Sequence, residues 1–123
     1  MKRHLLLASA FILLVAALPS AALADAAACG SASTLRSPGG APTAATSILF
    51  VNKSAAPINI VWIDYDGARK PYATIAPGKN LVQRTFVNHL WTIESAAGRC
   101  LGVFSGISIQ RSITVTDTGL EER

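Results

Sequence analysis

The chain has 123 residues, half of them hydrophobic, with a formal charge of +4 and two cysteines. That length holds one small domain and hardly two. The basic residues between Arg36 and Arg123 are scattered along the chain, which excludes the dense basic cluster that a nucleic-acid-binding surface needs.

Met1 to Ala24 has the build of a secretory signal peptide. Lys2, Arg3 and His4 form a positive start, Leu5 to Leu18 an uninterrupted apolar core, and Ala22-Leu23-Ala24 a small-x-small cleavage site. Two alternatives stand beside it. An uncleaved membrane anchor would need roughly 20 apolar residues, more than this run supplies. A lipoprotein acylated at Cys29 would want a large aliphatic residue where Ala26-Ala27-Ala28 stands. Cleavage leaves 99 of the 123 residues and no membrane span. Lys2 and Arg3 leave with the signal, so nine of the 11 basic residues remain against seven acidic, a net of +2. The expected location is secreted or periplasmic.

Residues 25–46 are rich in Ala, Gly, Ser, Thr and Pro and have little to bury, so they read as a flexible leader. Cys29 lies in it, and Cys100 lies far downstream. An even cysteine count in a chain bound for an oxidising compartment predicts that the two pair. The alternative is two free thiols. Metal ligation is not expected, because one histidine beyond the signal and no cysteine-x-x-cysteine spacing leave a site short of ligands.

From residue 47 to 117, short runs heavy in Ile, Val, Phe, Trp, Tyr and Thr alternate with turn signals about every ten residues, which predicts an all-β sandwich of about seven antiparallel strands. The strands are expected at 47–53, 57–65, 71–75, 80–86, 90–95, 99–104 and 107–116. Asp66-Gly67 reads as a tight hairpin and Ala76-Pro77-Gly78-Lys79 as a turn with proline second. In the second run, Ile58, Ile60 and Trp62 alternate with Val61, Ile63 and Tyr65, so both faces are apolar and the strand is central or covered. In the last run, Ile107, Ile109, Ile113 and Val115 share one parity, which predicts one packed face. Residues 118–123 are expected to fray.

The order of short pieces across the middle of the chain resembles the β domain of the von Hippel-Lindau tumour-suppressor family. The matching residues are Leu35-Arg36-Ser37, Phe50 with Asn52 and Ser54, Val61-Trp62, Asp66-Gly67, Pro71-Tyr72, Thr74, Pro77-Gly78, Thr85 and His89-Leu90-Trp91. The resemblance implies a β-sandwich with a groove for an extended peptide and a pocket for a hydroxylated proline. By that likeness Trp62 and Trp91 are pocket walls, Tyr72 meets the peptide backbone, and Thr85 and His89 bond the proline hydroxyl. The residue types suit the task, since indole faces pack on a proline ring while a threonine hydroxyl and an imidazole satisfy one hydroxyl between them. Departures accompany the match. Phe86 stands in place of a tyrosine, Arg84 of a histidine, Asp64 of an asparagine, and Val87-Asn88 of an arginine-glycine pair. Arg84 offers a fork for a carboxylate. No amphipathic helix pattern follows Thr116, so the ubiquitin-ligase assembly of the animal proteins is not expected here.

Bland readings accompany each residue. A tryptophan in a strand is commonly core, His89 can serve a turn, Thr85 is an ordinary strand residue, and Tyr72 can cover an edge. Pro71 removes an amide donor, which marks its strand as an edge that is inert or open to an added strand. Three functions follow. The first is a non-catalytic module for a proline- or hydroxyproline-containing peptide, without cofactor. The second is an accessory envelope domain that packs on another protein. The third, a small hydrolase, lacks a nucleophile-elbow spacing, and Asp64 and Asp66 read as solvated hairpin carboxylates.

Overall fold

A computed structural model describes Cys29, residues 35–40 and residues 44–123. The expected signal peptide and most of the leader lie outside the described residues. Eight strands follow one another among those described: β1 (Ala45–Asn52), β2 (Ile58–Ile63), β3 (Arg69–Ile75), β4 (Asn80–Phe86), β5 (Leu90–Ser95), β6 (Cys100–Ser105), β7 (Arg111–Thr116) and β8 (Gly119–Glu122). They form two four-stranded sheets, in the orders β4-β1-β7-β8 and β3-β2-β5-β6. Every pairing is antiparallel except β1 with β7.

The period-2 pattern of side chains builds the core between the sheets. Ile48 and Phe50 of β1 and Ile113 and Val115 of β7 face Ile58 and Ile60 of β2, Ile75 of β3, and Trp91 and Ile93 of β5. β2 is an interior strand, as its two apolar faces predicted, and Val61 and Ile63 on its other face are also buried. β3 is an edge, as Pro71 predicted.

Cys29 is bonded to Cys100, with Cα atoms 6.1 Å apart. The bond fastens residue 29 to the start of β6. Ser37, 1% exposed, is pinned at the far end of the same sheet. Its amide donates to the Asp64 carbonyl and its hydroxyl to the Ile63 carbonyl, while the Leu90 amide donates to its Oγ at 2.9 Å. Ile63 and Leu90 are paired across β2 and β5, so Ser37 closes the end of that ladder.

Three sequence expectations need correction. Residues 119–122 do not fray but form β8. A turn held by the Thr116 hydroxyl donating to the Gly119 carbonyl folds the chain back, Leu120 packs on the core, and Glu122 pairs with Arg111. The last long strand is shorter than expected, because residues 107–110 bend and leave Ile109 69% exposed. The preceding Gly106 is held in a crossing with the β4–β5 connection, so strand pairing with β1 resumes only at Arg111. Asp64 is a buried turn residue, not a solvated one. Its Oδ1 accepts from the Asp66 and Ala68 amides at 2.9 and 2.7 Å, and Lys70 lies 3.5 Å from Oδ2. Burial opposes its ionisation, but those amides and Lys70 outweigh that and hold its pKa below the usual 3.8.

Candidate functional site

Consecutive strands β3 and β4 belong to different sheets and are both edges. They leave the turn at 76–79 together and then separate, so the sandwich stands open on that side near the end of β4. Four strands and two connections deliver side chains to this opening.

Trp62 and Trp91 are directly opposed on β2 and β5 and share the inner face. Trp91 is 3% exposed and belongs to the core, while Trp62 is half-buried beside it. The core and pocket readings of the tryptophans therefore hold together. Each indole is oriented by one hydroxyl: Trp62 Nε1 donates to Ser37 Oγ at 3.1 Å and Trp91 Nε1 to Thr85 Oγ1 at 2.8 Å.

Tyr72 arrives through a β-bulge. The register runs Ile60 with Ala73 and then Val61 with Pro71, which leaves Tyr72 without a partner. Strict alternation would put Tyr72 on the face of Thr74, away from the core; the extra residue turns it inward. Its ring meets Trp91 edge-on at 4.9 Å and Trp62 at 6.1 Å.

Thr85 shares the inward parity of Leu81, opposite the β1 residues that build the core. His89 follows one turn later. The turn from Phe86 to His89 carries Asn88 at φ 70°, a left-handed conformation that asparagine tolerates. Gly106 braces it, donating to the His89 carbonyl and accepting from the Asn88 amide, and a Cβ there would collide with the Phe86 carbonyl. The imidazole stacks on Trp62 at 5.8 Å with planes 19° apart. It is 8% exposed, and burial lowers its pKa below 6.5, so it is neutral at pH 7.

The five residues expected from the sequence therefore come together around one small cavity of about 190 Å³, with Tyr65, Arg84 and Phe86 completing the wall. Tyr65 meets Trp62 and His89 edge-on at 5.2 and 5.6 Å. The sequence did not mark Tyr65, because its parity opposes that of Trp62 and only the hairpin after β2 brings it round. Ser37 was visible only as one third of a matching tripeptide.

The polar atoms of the box are incompletely engaged. Thr85 Oγ1 accepts one hydrogen bond and retains its own proton. No hydrogen bond to the His89 ring is formed among the described residues, and its nitrogens are not sealed from the cavity. A neutral imidazole presents one donor and one acceptor. The box can therefore take a ligand that is flat and apolar over most of its surface and carries one hydroxyl. Among the described residues, no group of three acidic, histidine or cysteine side chains is placed to hold a metal ion.

A family model of the VHL beta domain matches residues 40–101. The chain belongs to the VHL β domain family. The match takes in the cavity-lining residues and stops in β6, before β7 and β8. The VHL β domain is a non-catalytic protein- and peptide-binding family. Among solved structures, the fold is similar to part of pneumolysin, at 14% identity and a TM-score of 0.44 over 66% of this chain and 24% of that one. It is also similar to suilysin from Streptococcus suis, at 14% identity and 0.43 over 66% and 23%. The chain thus spans about a quarter of those proteins. No helix among the described residues is long and apolar enough to cross a membrane.

Proposed function

We propose that this VHL β domain protein is a secreted or periplasmic binding module that holds an extended peptide by a proline or hydroxyproline side chain. The observation that carries this reading is the aromatic box with two uncommitted polar groups, Thr85 Oγ1 and the His89 imidazole, in its wall. At about 190 Å³ the cavity is below the roughly 300–1,000 Å³ of sites for drug-sized ligands and suits a single side chain. Trp62 and Trp91 supply apolar faces to the ring, and Tyr72 meets the peptide at the open edge. Thr85 donates to the ligand hydroxyl and His89 completes its hydrogen bonding. An unhydroxylated proline leaves both groups unpaired, at about 1 to 3 kcal/mol each. The Cys29–Cys100 bond and the signal-like start support action in an oxidising compartment.

Titration of tryptophan fluorescence with paired peptides that differ only in proline or 4-hydroxyproline tests this. Saturable binding that prefers the hydroxylated peptide by about thirtyfold or more, and loses that preference in His89→Ala, is the expected result. Flat titrations with both peptides would refute the groove and favour a domain that packs on another envelope protein.

A further inference from the structure

The aromatic box shares three wall residues with a second cavity. A trough of about 650 Å³ lies against β4 and β1, lined by Ala45, Thr46, Ser47, Val82, Arg84, Thr85 and Phe86. Arg84, Thr85 and Phe86 line both spaces, so a chain that leaves the box along β4 enters the trough. Alternation explains its form. Ser47 and Ala45 pair with Arg84 and Phe86 and share their outward face, so two small β1 residues floor the trough and two large β4 residues wall it. β4 is a sheet edge, which suits an extended partner.

Among the described residues, Arg84 carries the one formal charge on the combined lining, since no aspartate or glutamate among them contributes to either cavity and His89 is neutral. The other arginines of the two sheets are engaged: Arg69 pairs with Glu94 and Arg111 with Glu122. Arg84 is exposed and has no carboxylate partner among the described residues. We infer that the trough selects an acidic extended peptide, with an aspartate or glutamate side chain two or three residues from the one in the box, held by the Arg84 guanidinium. A strand rises about 3.3 Å per residue, so that spacing carries a side chain from Thr85 past Arg84. The inference rests on the peptide reading of the box and adds a charge requirement to it.

The probes are capped, amidated nonapeptides of alanine with a central 4-hydroxyproline. A single aspartate is stepped through the flanking positions, and asparagine replaces it in the controls. One aspartate position should bind about fivefold more tightly than its asparagine control, a gain that shrinks in 0.5 M salt, as roughly expected for a partly exposed ion pair. Arg84→Gln should remove the gain of the aspartate peptide over its asparagine control, and Arg84→Lys should keep part of it. Equal binding of aspartate and asparagine peptides would overturn the inference and leave the box standing. A preference that survives in Arg84→Gln would overturn it too. Failure of every peptide to bind would overturn both readings.

Discussion

Both ends of the sandwich bury polar side chains, but among the described residues only the open end leaves some of their hydrogen-bonding capacity unused. At the closed end, Asn52 is fully buried and uses every polar atom it has. Its Nδ2 donates to the Ala56 and Ile75 carbonyls at 2.9 Å each, and its Oδ1 accepts from the Ser54 amide and hydroxyl. Its backbone joins the turn at 78–79. At the open end, Thr85 and His89 are nearly as buried, 6% and 8% exposed, yet both keep capacity that no described residue uses. Burial alone does not separate a structural cluster from a binding one. The state of each donor and acceptor does, because a buried polar group without a partner is costly until a ligand supplies one.

Removing the Cys29–Cys100 bond is the largest perturbation. Closing a loop across 71 residues contributes about 4 kcal/mol by chain entropy, so the double variant Cys29→Ser, Cys100→Ser should lose about that much in urea denaturation. Asn52→Ala comes next. It strands the Ile75 carbonyl and the Ser54 amide, while the Ala56 carbonyl keeps the Ser54 hydroxyl as a donor, and a loss of about 3 kcal/mol is expected with no specific effect on ligand. Equal damage to peptide binding, at a urea concentration where both proteins stay folded, would break the comparison.

At the open end the effects should reverse. Thr85→Val removes the acceptor of Trp91 Nε1, which costs about 1 to 2 kcal/mol of stability, and should abolish the preference for hydroxyproline. His89→Ala should lose the same preference without stranding a hydrogen-bond partner, its cost in stability coming from the lost ring contacts with Trp62, Tyr65 and Phe86.

The pH dependence sharpens the same point. The folded-state pKa of His89 lies below its ordinary 6.5 because burial disfavours the cation. An unfolded chain therefore binds the proton more readily. The stability due to neutral His89 is fully present above pH 6.5 and shrinks as the pH falls toward the folded-state value. Peptide affinity should weaken over that acidic range, and denaturation curves of His89→Ala should lack this component.

Much of the fold was legible because turns and alternation are local. Asp66-Gly67 and Ala76-Pro77-Gly78-Lys79 made the expected turns, with Gly67 and Gly78 at positive φ. The double-faced pattern of β2 gave its interior place. β8 was missed because its signal is one apolar residue, Leu120, after a Thr-Asp-Thr-Gly turn. Ile107 and Ile109 misled because their parity fits a strand that a chain crossing at Gly106 interrupts. In the site, the five residues were legible through their order in the chain, whereas Tyr65 and the anchoring role of Ser37 were not. Tyr65 is brought in by a hairpin, and Ser37 bonds partners 25 to 53 residues away.

The sequence by itself determined the all-β class, the positions of most turns, the cysteine pair and the residues that could furnish an aromatic box. Each depends on residue type or on spacing over a few positions. Only the tertiary structure decided that Tyr72 turns inward, that Asn52 is satisfied while Thr85 and His89 are not, and that Arg84 stands on the wall the box shares with a trough. A bulge shifts parity without altering composition, and hydrogen-bond partners are chosen across the sheet. Neither can be read from the spacing of residues along one strand.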